Sequence, residues 1–107
     1  QEAVERVQPD FHRLRQLDGR GLIVTAAGRS TDIASRCFYP KYGVDEDPVT
    51  GSAHTTLGPD WANRLGKNAL TAVQCSPRSG RLRLRVMDER IEIAGQAVTY
   101  MEGKIRF

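Results

Sequence analysis

One ten-residue stretch, from Asp45 to His54, combines carboxylates, hydroxyls and a glycine where a loop runs into a helix. It reads Asp-Glu-Asp-Pro-Val-Thr-Gly-Ser-Ala-His. Asp47-Pro48 interrupts regular structure, and Thr50-Gly51-Ser52 then places two hydroxyl groups around a residue without a side chain. The first N–H groups of a helix lack intrahelical acceptors and carry partial positive charge, so this helix start can receive a carboxylate or a phosphate. Asp47, a few residues upstream, adds a group that can hold a proton.

The same residues also fit an ordinary capped helix. Asp, Thr and Ser are common at N-caps, where the side-chain oxygen accepts a hydrogen bond from a backbone N–H group. Apolar residues then recur at helical spacing, at Ala53, Leu57, Trp61 and Leu65. A helix is predicted in both cases. The local sequence therefore leaves two alternatives open, a capped helix start and an anion-binding helix start.

A short helix and two strands are predicted upstream of this stretch. Pro9 is typical of a helix start, and a short amphipathic helix is expected to end at Gly19. Continuous apolar residues predict a strand over Leu22 to Ala27, and a second strand is expected over Asp32 to Tyr39. A loop from Pro40 to Pro48 then leads to the helix.

The central helix is expected to run from Gly51 to Leu65. Pro59 lacks the N–H group that a helix interior requires, so a kink or a division near Gly58 is expected. Gly66 can adopt the left-handed conformation that ends many helices, and we expect the helix to stop there. Burying its large apolar side chains, at roughly 1.5 to 3 kcal/mol each, makes this helix the expected centre of the core.

Strands dominate the remainder of the chain. Short apolar or alternating runs are separated by polar or glycine-containing breaks, and Asp88-Glu89 is expected to turn a hairpin. The predicted strands are Ala69 to Ser76, Gly80 to Met87, Arg90 to Ala94, Ala97 to Met101 and a final one over Lys104 to Phe107. The predicted fold class is therefore α+β, with a mixed, mostly antiparallel sheet rolled around one central helix.

Length and charge fit a single domain without a nucleic-acid partner. The 107 residues include 16 basic and 13 acidic side chains, for a net charge of +3, and this size is usual for one domain. Arg81, Arg83 and Arg85 alternate with apolar residues, which is typical of a strand with one face in water. Aromatic stacking residues and a known reading motif do not accompany these arginines, so nucleic-acid binding is not expected.

The cysteines Cys37 and Cys75 are predicted to be free thiols within strands. Together with His12 and His54 they give no zinc-ligand spacing, so no metal site is expected. No apolar run approaches the roughly 20 residues that span a bilayer, and no secretory leader opens the chain. The expectation is a soluble, cytoplasmic protein without a membrane partner.

Several short motifs, spread along the whole chain, are informative when they are taken together. The strongest runs from Glu46 to His54 and is preceded by Ser35 to Pro40 and Gly43-Val44. The others are Pro9-Asp10, Arg20-Gly21, Val24 to Ala26, Leu57 to Pro59, Trp61, Leu65 to Lys67, Gln74 with Ser76, Arg78 with Gly80, Ile93 to Gly95 and Ala97-Val98. Together they resemble the phenazine-biosynthesis isomerase-like (PhzF-like) family over essentially the whole chain.

That resemblance implies a fold, a site and a reaction. Members of the family resemble diaminopimelate epimerase, with two pseudo-symmetric halves and an active site in the cleft between them, and residues 1–107 match the second half only. Asp47 takes the family's acidic site position, and Gly51 and Ser52 take substrate-contacting positions. The implied reaction is abstraction and return of a proton on a small carboxylate-bearing substrate, without a metal or a cofactor.

The resemblance also implies that the site is incomplete. The family's general base is a Glu of the first half, which acts with a Gly-His pair on the opposing helix, and Glu46 and His54 belong instead to the second-half motif. In the distant epimerases a cysteine pair transfers the proton. Its second-half member falls where this chain has Asp47, so Cys37 and Cys75 do not inherit that role.

Two functional hypotheses follow. In the first, the chain is an isomerase fragment in which Asp47 holds or relays a proton while Thr50, Gly51 and Ser52 bind the substrate carboxylate. The fragment would need a missing N-terminal half as its partner and would be inactive alone. In the second, the chain is a non-catalytic homodimeric or small-anion-binding module, whose cleft-facing surface pairs with a second copy.

Overall fold

The computed structural model describes residues 1–107, and its core is one long helix against a six-stranded sheet. The helices are α1 (Glu2–Glu5), α2 (Phe11–Leu14) and α3 (Gly51–Leu65). The strands are β1 (Leu22–Ala27), β2 (Ile33–Tyr39), β3 (Val44–Asp47), β4 (Ala69–Gln74), β5 (Gly80–Val86) and β6 (Ile91–Ala94). A short 3-10 helix, Pro40–Tyr42, joins β2 to β3.

The sheet order is β1-β2-β4-β5-β6, with β3 paired to β2. Strands β2 and β4 are parallel, and every other pair is antiparallel. Helix α3 lies in the connection between the two parallel strands, as such a crossover requires. Ser35 is in register with Gln74, so the end of β4 lies beside the middle of β2. The predicted α+β class with a mixed, mostly antiparallel sheet is confirmed.

Helix α3 is the centre of the core, as predicted. Its buried residues Leu57, Trp61 and Ala62 join a cluster with residues of β2, β4 and β5, namely Ile33, Leu70, Ala72, Leu82 and Leu84. The Trp61 indole N–H donates to Thr25 Oγ1 at 3.0 Å, so the ring is both buried and hydrogen-bonded. The arginines of β5 alternate along the strand with the buried Leu82 and Leu84 and are exposed. This confirms the prediction of a strand with one face in water.

One expectation about α3 is wrong, and of the kink or division expected near Gly58 the division does not occur. Leu65 is 43% exposed rather than buried, because it is the last helical residue before Gly66, which ends the helix at φ +65° as predicted. Pro59 lies within a single continuous helix and does not divide it. Both Pro59 and Thr55, whose carbonyl loses its usual N–H donor, are exposed, so water can satisfy that carbonyl.

The helix expected to end at Gly19 is much shorter. Asp10 caps α2, its side chain accepting from the Arg13 N–H at 3.1 Å, but the helix ends at Leu14. Gln16 and Leu17 then donate three residues back, as in turns. Leu17 is 55% exposed, so extending the helix would bury little apolar surface.

The strands predicted over Ala97 to Met101 and Lys104 to Phe107 do not form. Residues 95–107 have no regular structure, and all of them are exposed. Their apolar side chains include Val98, Tyr100, Met101, Ile105 and Phe107. Because a strand needs a neighbour to satisfy its backbone, the apolar alternation alone cannot make one. We refer to residues 95–107 as the tail.

The remaining predicted strands and the hairpin between β5 and β6 are confirmed, with Val86 opposite Ile91. No helix in the structure has both the length and the apolar character needed to cross a membrane.

Candidate functional site

Asp47 and Thr50 are joined directly at the start of α3. The pairing of β2 with β3 shifts register between Cys37 and Tyr39, and Asp47 is the last residue of β3. The Thr50 hydroxyl donates to Asp47 Oδ2. Thr50 occupies the N-cap position, but its side chain makes no capping hydrogen bond to the helix. The hydroxyl that could have capped α3 orients the carboxylate instead.

Gln74 fixes this loop from the end of β4. Its Oε1 accepts from the Thr50 N–H at 2.8 Å, and its Nε2 donates to the Asp47 carbonyl at 2.7 Å and to Thr50 Oγ1 at 3.1 Å. Gln74 is fully buried, so the bonds form away from water, where an unpaired polar group is costly. The Ser76 hydroxyl donates to the Pro48 carbonyl at 2.8 Å.

Gly80 of β5 allows the same loop to pack closely on the sheet through Val49. A Cβ at Gly80 would lie 2.3 Å from Val49 Cγ2, well inside van der Waals contact. A larger residue at position 80 would force the Val49 side chain to move. The loop is therefore held by hydrogen bonds from one strand and by close packing on the next.

The first turn of α3 presents backbone donors beside Asp47. The N–H groups of Gly51, Ser52 and Ala53 have no acceptor within the helix, and no side chain caps them. Gly51 and Ser52 are exposed, whereas Ala53 is buried against Cys37 and Tyr39. The four predicted site residues, Asp47, Thr50, Gly51 and Ser52, thus lie together in one turn of chain.

A depression of about 420 Å³ opens in front of this turn. Its lining combines opposite charges, phenol rings and a hydroxyl, and consists of Arg20, Tyr39, Tyr42, Val44, Asp47 and Thr50. A larger depression, about 620 Å³, lies across the exposed face of β4, β5 and β6. We place the functional site in the smaller one, because Asp47 and Thr50 line it and the free donors of α3 follow directly after Thr50. No group of three or more His, Cys, Asp or Glu side chains is arranged to hold a metal ion.

Burial keeps the neighbouring titratable groups of β2 uncharged. Tyr39 is buried, which raises the pKa of its phenol to about 12, so it remains a neutral hydrogen-bonding group. Burial also raises the pKa of the Cys37 and Cys75 thiols. Both cysteines are free, as predicted, although Cys75 follows β4 and is only half-buried. Neither thiol is activated for proton transfer at neutral pH.

Glu46 faces away from the depression and belongs to the scaffold. Its carboxylate receives two hydrogen bonds from Arg36, at 2.7 and 2.9 Å, on the opposite face of β2. The third Arg36 nitrogen donates to the carbonyls of Val4, Glu5 and Val7, which fastens α1 to the sheet. Arg36 therefore links the first residues of the chain to the strand that carries Asp47.

His54 is buried in α3 and does not line the depression. Its side chain is fully inaccessible, and Nδ1 donates to the Thr50 carbonyl at 2.7 Å. Burial lowers the pKa of the imidazole, because the charged form would be poorly solvated. Glu46 and His54 are thus both bonded within the scaffold, and neither lines the depression.

We expect the stability of the fold to fall with acidification below about pH 6.5, the pKa of histidine in the unfolded chain. The folded-state pKa of His54 is lowered, so in this window the unfolded chain binds more protons and unfolding is favoured as the pH falls. The loss is at most about 2 kcal/mol between pH 7 and pH 5. Urea denaturation at each pH measures it. His54→Leu should flatten this dependence, whereas the exposed control His12→Gln should retain it; an unchanged slope in His54→Leu would show that another group is responsible.

Four further residues around the site, Arg20, Tyr39, Gln74 and Ser76, were not predicted to have a function. A signal for two of them was present. Buried residues alternate along β4, at Leu70, Ala72 and Gln74, and the alternation continues to Ser76 just beyond the strand. Polar residues at the end of an apolar alternation indicate a buried hydrogen-bonding role. Arg20 and Tyr39 gave no comparable pattern.

The arrangement defines an α+β domain in which a mixed sheet packs on one helix and an oriented carboxylate lies beside an uncapped helix start. Residues 1–103 match the family described as phenazine biosynthesis-like protein (PhzC-PhzF). The chain belongs to this family.

Curated relatives and solved structures agree with that assignment. The chain is 56% identical over 106 residues to an uncharacterised isomerase of Pseudomonas aeruginosa. The matched region covers 99% of this chain and 41% of the relative. It is 43% identical over 113 residues to the human phenazine biosynthesis-like domain-containing protein, covering 95% of this chain and 39% of the relative. The chain thus spans about two fifths of the length of these curated relatives.

The fold is similarly close to crystal structures of family members. A PhzF-family protein of Enterococcus faecalis superposes with a TM-score of 0.86 at 49% identity, covering 89% of this chain and 37% of that one. A PhzC/PhzF protein of Clostridium difficile gives a TM-score of 0.90 at 40% identity, covering 100% of this chain and 42% of that one.

Proposed function

We propose that this chain supplies one wall of the active site of a cofactor-independent isomerase that moves a proton on a small carboxylate-bearing substrate. The observation that carries the proposal is the Asp47 carboxylate, which lines one depression and is held by Thr50 immediately before the uncapped N–H groups of Gly51 and Ser52. The donors bind the carboxylate, and Asp47 holds or relays the proton. The printed descriptions of relatives in Pseudomonas aeruginosa and Halalkalibacterium halodurans as isomerases support this reaction class.

We further propose that the chain corresponds to the second half of a two-part site. The depression is open, and Asp47 is the one carboxylate among its lining residues. Abstraction and return of a proton on carbon need a second group and exclusion of water. A partner must provide both. The partner is the remaining part of a full-length relative or, alternatively, a second copy of this chain.

The tail supports the need for a partner. Its apolar side chains are almost fully exposed; Tyr100, for example, is 97% accessible. Exposed apolar surface of this kind is usual at protein interfaces. If the partner is a second copy, the chain is a homodimeric anion-binding module, which is the second candidate function.

Small anions are expected to bind at the first turn of α3. In a ¹⁵N NMR titration with succinate and, separately, with inorganic phosphate, the amides of Gly51, Ser52 and Ala53 should shift first, because their N–H groups lack acceptors. The amide of Arg64 in the last turn of α3 serves as an internal control, since it lies at the opposite end of the helix. If these three amides do not move at millimolar anion, the start of α3 is structural only and the proposed substrate contact is wrong.

A further inference from the structure

Arg20 lines the depression and contacts both Tyr39, which also lines it, and Ser52 in the first turn of α3. It is exposed in the segment between α2 and β1. Its guanidinium carbon is 5.4 Å from the centre of the Tyr39 ring, and Nη1 donates to Ser52 Oγ at 3.4 Å. That single long hydrogen bond uses one of the five donors of a guanidinium. Arg20 therefore meets the start of α3 with most of its donors free.

The charges of the depression are arranged as a separated pair. Arg20 and Asp47 both line it, yet they do not form a salt bridge, and the acidic side chains that pair with other arginines do not reach Arg20. Asp47 is bound to Thr50 instead. Two opposite charges in one depression, each left without an ionic partner, present a small ligand with a positive side and a negative side.

This separation dictates how a carboxylate can enter. Like charges repel, so the ligand's carboxylate is disfavoured next to Asp47. On the other side it meets Arg20, the Ser52 hydroxyl and the N–H groups of α3, all of which can donate. A guanidinium matches the planar geometry of a carboxylate with two parallel hydrogen bonds. The remainder of the ligand then extends toward Asp47.

We propose that Arg20 is a specificity-determining residue that holds the substrate carboxylate against Ser52 and so orients the neighbouring carbon toward Asp47. The inference rests on the proposed function of the same depression and adds to it a residue and an orientation. The competing role for Arg20 is purely structural, as a cover for the ring of Tyr39.

The experiment compares the succinate titration of the full chain with that of three variants. Arg20→Gln removes the charge. Arg20→Lys keeps the charge but lacks the planar guanidinium that can form two parallel hydrogen bonds. Arg83→Gln removes an exposed arginine of β5 and is the matched control. The Kd is read from the amides of Gly51 and Ser52. We expect Arg20→Gln to weaken binding about tenfold, which corresponds to about 1.4 kcal/mol. Arg20→Lys should lie between it and the unsubstituted chain, and Arg83→Gln should not change the Kd.

A second measurement covers the possibility that Arg20→Gln alters the fold. In the unsubstituted chain, the Arg20 Nε–Hε resonance should shift along the same binding curve as the α3 amides. A structural role for Arg20 would change the urea midpoint without changing the Kd or this resonance.

The two proposals fail in different ways. In one case the α3 amides shift in the unsubstituted chain, but the Kd of Arg20→Gln is within twofold of it and the Arg20 resonance does not shift. The anion site is then retained and the proposed role of Arg20 is wrong. If the amides do not shift at all, the proposed function of the depression is wrong, and the inference about Arg20 is overturned with it.

Discussion

Replacing Gln74 by leucine is expected to lower the free energy of unfolding by about 3 kcal/mol, because it leaves two buried backbone groups without partners. These groups are the Thr50 N–H and the Asp47 carbonyl, both of which are bonded to the Gln74 amide. Leucine fills similar space but has no polar atom. Urea denaturation followed by tryptophan fluorescence measures the loss, since Trp61 lies in the adjoining core.

The matched control for this substitution is Gln8→Leu, which makes the same chemical change at an exposed position. It should leave stability within about 0.5 kcal/mol of the unsubstituted chain. Gln74→Leu should also shift the amide resonances of Thr50 and Gly51 in the free protein, because the loop loses its anchor. If both variants unfold at the same urea concentration, Gln74 does not hold the loop.

Local sequence patterns determined the central elements of the fold. The alternation of Leu82 and Leu84 with arginines specifies which face of β5 is buried, and the structure agrees. Apolar spacing placed α3, and Gly66 ended it with a left-handed conformation. These features depend on residues close together in the chain, where periodicity and backbone preference act directly.

The same patterns gave wrong predictions where secondary structure depends on contacts with residues that are distant in sequence. The tail alternates apolar and polar residues, yet it has no strand beside it in this chain. The helix at Phe11 stops early because Leu17 has no apolar surface to cover it. A periodic sequence therefore predicts the form of an element only if tertiary contacts are available.

The candidate site shows the same division. Asp47, Thr50, Gly51 and Ser52 are close in sequence, and their spacing alone brought them together. Gln74 is 24 residues beyond Thr50 and 27 beyond Asp47, and Arg20 is 32 residues before Ser52. No local pattern could pair these positions, because their contacts exist only after β2, β4 and α3 have packed.

The role of Asp47 leads to the prediction with the largest expected effect. The isolated chain should not catalyse exchange of substrate protons with solvent, because its depression is open and lacks the opposing wall. Joining it to the remaining part of the 56% identical Pseudomonas aeruginosa relative should create exchange activity. In that chimaera, Asp47→Asn is expected to lower the exchange rate by about 10² to 10⁴, the usual contribution of a positioned acid or base.

Exchange into a panel of small carboxylates in deuterated water, followed by NMR, measures this activity without knowledge of the product. Asp45→Asn is the matched control, since Asp45 lies on the same strand but is exposed and pairs with Arg15; it should retain the rate. Light scattering on the same samples gives the oligomeric state. Exchange by the isolated chain that disappears in Asp47→Asn would contradict the two-part site, because two copies of this chain would then build a complete site between them.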